Sequence, residues 1–434
     1  MGRKLLIVDV AALGYEFLRA NQVTSIAGLA VSPARSIFPA LTCTVQASFR
    51  TASVPARHGM VANGLYFPDL RRVMFWEQSS ALVSGERIWS GFRARGGKVG
   101  MLFWQQSMGE QADMVLSPAP IHLHHGGMVQ DCYSKPAGLY ERLCKKVGRK
   151  FGLMRYWGPL ASWKAGEWIA QATAALLHEP DAPDLCMVYL PSLDYDLQRY
   201  PAGHVKNKRA LAMTLGQLDL MSRAANDGGY EILIFGDYAI SDTAGGDAAV
   251  FPNRQLLSDG LLAVRKVGDM LYPDFHASKA FAVVDHEVGY VHVKDAADSP
   301  AVQASLRKLP HVAAVVTAAE MSAMGIDHSN AGQLAIIAQD GHWLAYPWWS
   351  LKRQAPDYAS HIDIHNKPGY DPCELFFGWP PMRVSQNTAR IRGSHGKISN
   401  GREVACCSSL PLAPAADLLS LAAAVRDWLD APGA

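Results

Sequence analysis

Three apolar runs that each end in an aspartate constrain this chain more than any other feature. Lys4 to Val8 is followed by Asp9, Leu185 to Leu190 shortly by Asp194, and Tyr230 to Phe235 (through Gly236) by Asp237. The runs are apolar at successive positions, as strands buried on both faces must be. Helical spacing precedes two of them, over Ala165 to Leu177 and Asn207 to Ala225. Strands alternating with helices predict an α/β fold with a mostly parallel sheet flanked by helices. Ligands of open α/β sheets bind at the carboxyl ends of the strands. One strand-end Asp is more often a cap or turn residue. Three of them form a candidate metal-binding set.

The rest of the chain elaborates this core. With 434 residues, 49% of them hydrophobic, it can bury one large core and carry insertions. Residues 65–165 are rich in Trp, Met, His and Gly with few periodic stretches, and read as a cap over the site. Residues 250–350 contain short strand-like runs at Ala280 to Val284, Gly289 to Val293, Val312 to Val316 and Gly332 to Ala338, and read as a small α+β insertion. Leu418 to Leu429 is a closing helix. Neither a repeat nor a low-complexity linker divides residues 1–434, so a single domain is expected.

Charge and cysteine usage exclude several function classes. A formal net charge of +2 offers no basic excess for nucleic acid. Seven scattered cysteines without a C-x-x-C pair argue against a disulfide framework and for a reducing, cytoplasmic setting. Adjacent Cys406 and Cys407 read as small buried residues of a strand. The first apolar run is too short for a signal peptide and is interrupted by Asp9. No stretch approaches the ~20 apolar residues of a membrane span.

The chemistry centres on Phe38-Pro39-Ala40-Leu41-Thr42-Cys43-Thr44-Val45-Gln46-Ala47, followed by a helix and then Val54-Pro55-Ala56-Arg57-His58-Gly59. Thr42 has two readings at such a turn. It is a helix N-cap, or a nucleophile whose phosphorylated form faces the helix N-terminus.

Phe38 to Gly59 resembles the nucleophile block of the type I phosphodiesterases and nucleotide pyrophosphatases, a family of the alkaline phosphatase superfamily. Tyr189 to Gly203 resembles that family's Y-x-x-x-P-D-x-x-x-H-x-x-G block. His365-Asn366-Lys367-Pro368-Gly369-Tyr370-Asp371-Pro372 resembles its late H-G-Y-D-P block, with three residues inserted after the His. The strings ALTCTVQAS, LDYDLQR, SKAFAVVDH, DIHNKPGYDP and RGSHG are also similar to the superfamily member of bacterial Ebo-type biosynthetic clusters.

The resemblance implies a phosphohydrolase acting on a small phosphorylated metabolite, with Thr42 as nucleophile and two divalent ions. Asp9, Thr42 and Asp237 would hold one ion; Asp194 and a late histidine would hold the other. Two such ions clamp the attacking and leaving oxygens of an in-line displacement. A cysteine sulfatase is excluded, because Cys43-Thr44-Val45-Gln46-Ala47 lacks the Cys-x-Pro-x-Arg it requires.

The sequence departs from the family where chemistry is concentrated. Gln198, a candidate metal ligand through its amide oxygen, stands where a His follows the second ligand Asp by four, and Tyr238, a candidate substrate contact, where a His follows the third Asp. Val45 stands where an Asn follows the nucleophile by three, leaving Gln46, Asn63 or Lys367 as candidate phosphoryl contacts. Zinc is the metal implied by resemblance, while an oxygen-rich donor set suits manganese or magnesium. His365 is the expected late ligand, oriented by Asp363 on a short extended stretch, and His395 in Gly393-Ser394-His395-Gly396 is its alternative. His122, His124 and His125 lie in a loop without an evident acid partner, and Asp285-His286 reads as a turn between strands. The altered histidine positions also admit a different class of protein, a degenerate relative that binds a phosphorylated ligand without turnover.

Overall fold

The computed structural model describes residues 3–125, 127–369 and 371–431. Gly126 of the histidine loop and Tyr370 of the late motif fall outside them. The elements that position the site are, in chain order, β1 (Leu5–Val10), β2 (Ser32–Ala34), α1 (Thr42–Thr51), β3 (Val99–Leu102), β4 (Met114–Pro118), β5 (Cys132–Lys135), α2 (Lys164–Leu177), β6 (Leu185–Leu190), α3 (Asp194–Arg199), α4 (Val205–Asp227), β7 (Glu231–Gly236), β8 (Ala280–Asp285), β9 (Val288–Val293), β10 (Val312–Val316), β11 (Leu334–Ala338), β12 (Val404–Ser408) and α5 (Leu418–Asp430).

Eight strands form the central sheet in the order β5-β4-β3-β6-β1-β7-β12-β2. The five from β4 to β7 are parallel. β5 and β12 run antiparallel to them, and the edge strand β2 pairs antiparallel with β12. Every residue of β1 and β6 is buried, as expected of a sheet covered on both faces. On one side α2 and α4 pack together. Buried Ala210, Thr214, Leu218, Met221 and Ala225 repeat at three- and four-residue spacing along α4, giving it one face toward the core. On the other side α1 and α5 meet Leu5 and Ile7 of β1 in a second cluster.

The region expected as a cap does more than cover. Residues 65–165 supply β3, β4 and β5, three of the eight strands of the sheet. Its strands are four or five residues long, too short to display a period against the aromatic-rich loops around them. The second sheet, in the order β8-β9-β11-β10, lies within residues 250–350 and is antiparallel throughout. Cys406 and Cys407 are buried in β12, and all seven cysteines are unpaired. No helix among the described residues is long and apolar enough to cross a membrane.

Candidate active site

Strand register brings the three aspartates together. Asp9 lies level with Tyr189 of β6 and Phe235 of β7. Asp237 follows two residues after Phe235, and Asp194 opens α3 just beyond β6. Because the three strands are parallel, their carboxyl ends share one edge of the sheet, and all three carboxylates converge there. Gly236 permits this approach, since a Cβ at that position would run into the carbonyl of Leu13.

Thr42 is the first residue of α1. Leu41 occupies the N-cap position and makes no side-chain capping bond, so Thr42 does not cap this helix. Its side chain lies instead near the Tyr189 and Tyr238 hydroxyls. The sequence of α1 contains two Thr, a Cys and a Val, which are weak helix formers. Burial makes the helix: every residue from Thr42 to Arg50 is buried, and Phe49 stacks on Phe235 of β7 with ring centroids 4.5 Å apart. The strand that carries Asp237 thus holds the helix that carries Thr42.

The Asp9 and Asp237 carboxylates each keep one oxygen unpartnered. Asp9 Oδ2 accepts a bond from Gln46 Nε2 at 2.7 Å. Asp237 Oδ1 accepts from the backbone N–H groups of Ala12, at 3.2 Å, and Tyr238, at 2.9 Å. Asp9 Oδ1 and Asp237 Oδ2 are buried without a partner among the described residues. Burial pushes both carboxyls well above the usual carboxylate range, and the Asp9 charge raises Asp237 further. Two such acids side by side stabilise a positive charge between them.

Asp194 differs. Its Oδ1 accepts from Gln198 Nε2 at 2.6 Å and from the Tyr238 hydroxyl at 2.9 Å. Burial raises its pKa to about 6, and these two bonds hold it from going higher. Tyr238 is fixed by a ring stack: it lies on His395 at 3.5 Å and nearly coplanar, and His395 lies on His286 at 3.9 Å. His395 Nδ1 meets the carbonyl of Ala40, just before the nucleophile block, at 2.8 Å.

The other sequence candidates fall in different places. Gln46 spends its amide nitrogen on Asp9 and its oxygen on the Gln105 N–H at 2.7 Å, so it orients Asp9 and has no acceptor or donor pointed at a ligand through those contacts. Asn63 accepts from the Cys43 N–H at 3.0 Å and donates to Asp285 through both its backbone and its side chain. Lys367 is buried in an ion pair with Glu374 at 3.0 Å. His365 packs edge-on against Trp157 and His122, and its Nε2 is buried without a partner among the described residues. It lies in a short 3-10 turn, Ile364–Asn366; the extended stretch expected there is not formed, because Asp363 caps that turn by accepting the His365 N–H. The other Asp363 oxygen reaches His122 at 3.0 Å, giving the histidine loop an acid partner from a distant segment.

Asp285, His286 and Tyr189 escaped the sequence reading as site residues. Asp285 and His286 do turn the chain between β8 and β9. They also reach back, through Asn63 and His395, to the nucleophile block. The contacts span more than a hundred residues, and local pattern carries no trace of them. Tyr189 had a visible signal, its place level with Asp9 in a parallel pair.

Among the described residues no three acidic, imidazole or thiol side chains gather as a metal cage. The fit of a cation therefore rests on two carboxylates and a hydroxyl. The donor set of Asp9 and Asp237 fits a hard divalent ion, because one buried carboxyl oxygen of each lacks a partner among the described residues.

Comparison with known proteins agrees with this fold. The sequence profile of the type I phosphodiesterase / nucleotide pyrophosphatase family matches residues 24–371. No curated protein matches by sequence. Among solved structures, phosphonoacetate hydrolase from Sinorhizobium meliloti 1021 in complex with phosphonoformate is similar at TM-score 0.62 and 16% identity, over 98% of this chain and 96% of that one. Murine ectonucleotide pyrophosphatase / phosphodiesterase 5 is similar at TM-score 0.60 and 13% identity, over 99% and 95% of the two chains. Its human counterpart is similar at TM-score 0.59 and 11% identity, over 100% and 96%. At such identities these structures speak for the fold alone.

Proposed function

The chain belongs to the type I phosphodiesterase / nucleotide pyrophosphatase family of the alkaline phosphatase superfamily, a family of phosphoric ester hydrolases, and from that premise we propose that Thr42 is its nucleophile. The substrate in this reading is a small metabolite with a phosphate ester or diphosphate bond. Thr42 Oγ attacks phosphorus and the alcohol or phosphate departs. Water then releases the phosphothreonine. The observation that carries the reading is the position of Thr42, the first residue of a buried helix and close to Tyr189, which pairs level with Asp9, and to Tyr238, which follows Asp237.

The chain's own groups have definite parts in this scheme. Tyr189 and Tyr238 lie near the Thr42 hydroxyl. Gln46 and the backbone N–H groups of Ala12 and Tyr238 orient Asp9 and Asp237 with one oxygen of each left over. Asn63 braces the first turn of α1 through the Cys43 N–H, and Asp285 braces Asn63. The α1 N-terminus favours the negative phosphoryl group. A divalent ion held by Asp9, Asp237 and Thr42 would neutralise phosphoryl charge and favour the alkoxide form of Thr42. The oxygen donors at that position suit manganese or magnesium better than the zinc implied by resemblance. The seven unpaired cysteines support a reducing, cytoplasmic setting.

The second reading, a phosphoryl-ligand binder without turnover, is favoured by the donors that occupy Asp194. One experiment separates the two: hydrolysis of bis(p-nitrophenyl) phosphate and p-nitrophenyl phosphate with manganese, magnesium or zinc, for wild type and Thr42→Ala. We expect hydrolysis that disappears with Thr42→Ala while thermal stability changes little, because no capping bond is lost. Activity retained in Thr42→Ala, or absent in wild type with every metal, overturns the proposal.

A further inference from the structure

We infer that this protein docks on anionic lipid surfaces through an apolar tip of Phe377, Trp379 and Met382 beside Leu351, with Lys352, Arg353, Arg383 and Arg390 meeting the lipid phosphates. The inference stands apart from the chemistry at Thr42 and uses none of its residues.

Phe377 and Trp379, at 44% and 77%, are the two exposed aromatic side chains among the described residues. Both sit on one hairpin, whose arms are joined by the Phe377–Val384 bridge and by the Gly378 N–H, which donates to the Arg383 carbonyl at 2.7 Å. Met382, at the same tip, is 69% exposed. Its φ of 68° lies in the left-handed region, where Gly or Asn is at ease and methionine is not. Neither burial nor backbone comfort accounts for a methionine there. Pro380 and Pro381 lack backbone N–H groups, so the tip has two fewer donors to dehydrate on entering apolar surroundings. Leu351, 46% exposed, comes from the facing segment, residues 349–361. The two segments enclose a cleft of about 760 Å³ lined by Trp349, Lys352, Trp379 and Arg383. Trp349 Nε1 donates to Gln386 Oε1 at 3.3 Å and the Val384 N–H to the Ser360 carbonyl at 2.9 Å, fastening them to each other. The hairpin is rooted in the core: Leu375, just before it, packs with Tyr195 of α3, and its carbonyl accepts from Arg199 at 3.1 Å.

Charge names the occupant. Residues 349–361 and 376–392 carry Lys352, Arg353, Arg383, Arg390 and Arg392 against a single acid, Asp357, which accepts from the Tyr272 hydroxyl at 2.8 Å. Lys352 and Arg353 are exposed. Arg383 reaches Ser360 Oγ at 3.4 Å and Arg390 the Phe377 carbonyl at 3.0 Å, neutral partners that leave both charges uncompensated. An apolar tip flanked by such cations is complementary to an anionic bilayer. The indole and thioether enter among the acyl chains near the headgroups, and the cations stay at the phosphates. Indole favours that boundary, with an apolar body and one polar N–H. A protein partner would need a groove shaped for this convex tip, whereas a bilayer yields to it.

The test is vesicle flotation with the full chain. Vesicles of phosphatidylcholine alone are compared with vesicles in which about a third of the lipid is phosphatidylglycerol, at about 0.1 M and about 0.5 M salt. Wild type is expected to bind the anionic vesicles at least about tenfold more strongly at the lower salt, and to lose most of that preference at the higher. Trp379→Ala with Met382→Ala, and separately Lys352→Glu with Arg353→Glu, are each expected to weaken binding about tenfold or more. All four side chains are exposed, so melting temperatures should stay close to wild type. Brominated acyl chains are expected to quench a share of the tryptophan emission that Trp379→Phe removes, and this decides the matter if a double variant fails to fold. Absence of binding to anionic vesicles, equal binding to both kinds, or binding unchanged in the variants overturns the inference. So does a lipid-free dimer, seen by analytical ultracentrifugation and lost with Trp379→Ala and Met382→Ala, in a protein that binds no vesicles, since the tip is then an interface between copies of this chain.

Discussion

The two halves of the site are built from the same kind of residue in opposite states. Asp9 and Asp237 each hold a buried oxygen without a partner among the described residues, while Asp194 Oδ1 takes two bonds, from Gln198 and Tyr238. All three sit at carboxyl ends of neighbouring parallel strands, so position in the fold does not separate them. What separates them is the company supplied by the next few residues and by distant loops. A carboxylate's role therefore cannot be read from its place on a strand; it is set by whether donors or lone pairs surround it.

The comparison breaks most sharply at the aspartates themselves. Asp237→Asn should lower kcat/KM by about a thousandfold, roughly 4 kcal/mol of transition-state stabilisation. Asp194→Asn keeps an oxygen for its two donors and should cost about tenfold, roughly 1.4 kcal/mol. Steady-state kinetics on a chromogenic diester measures both, and equal losses would erase the distinction between the halves.

The next effect concerns the histidines. His395 underlies Tyr238 and touches the nucleophile block through the Ala40 carbonyl, whereas His365 packs against Trp157 and His122. His395→Ala should loosen Tyr238 and lower kcat by about tenfold to a hundredfold, on the order of 1.4–2.7 kcal/mol, with cation stoichiometry unchanged. His365→Ala should change kcat by less than about threefold. This ordering reverses the expectation from sequence, and a larger loss with His365→Ala would restore it.

The smallest effect sharpens the comparison through the second sheet. Burial raises the Asp285 carboxyl to about 7, and the bonds from Asn63 only partly offset this. A carboxyl raised on folding contributes stability that is present below its unfolded pKa, near 3.8, and that is lost as pH climbs through about 7. Asp285→Asn removes this titration and retains an acceptor for the Asn63 N–H. In metal-free protein the variant's melting temperature should fall less than that of wild type between pH 5 and pH 8. Activity should drop by less than about tenfold. Parallel melting curves across that range would exclude a role for Asp285 in the pH dependence.

Much of the architecture was legible because it is local. Long runs apolar on both faces mark β1, β6 and β7, and three- and four-residue spacing marks α2 and α4 within a few residues of their ends. The four strands of the second sheet stand close to the runs read from residues 280–338. The strands of residues 99–135 were hidden, because four- and five-residue segments carry little periodicity and their burial is decided by neighbours.

By itself, the sequence determined that Asp9, Asp194 and Asp237 end apolar strands, that Thr42 opens a helix, and that imidazoles are missing at Gln198 and Tyr238. These are facts of residue type and spacing, and spacing alone sets which face or end of an element a side chain occupies. Only the tertiary structure decided which aspartate oxygens are satisfied, that Thr42 lies near Tyr189 and Tyr238, and that His395 lies against Tyr238 while His365 packs on Trp157 and His122. Those outcomes depend on contacts between segments tens to hundreds of residues apart, whose geometry is set by packing of the whole core, and no local pattern in the chain encodes them.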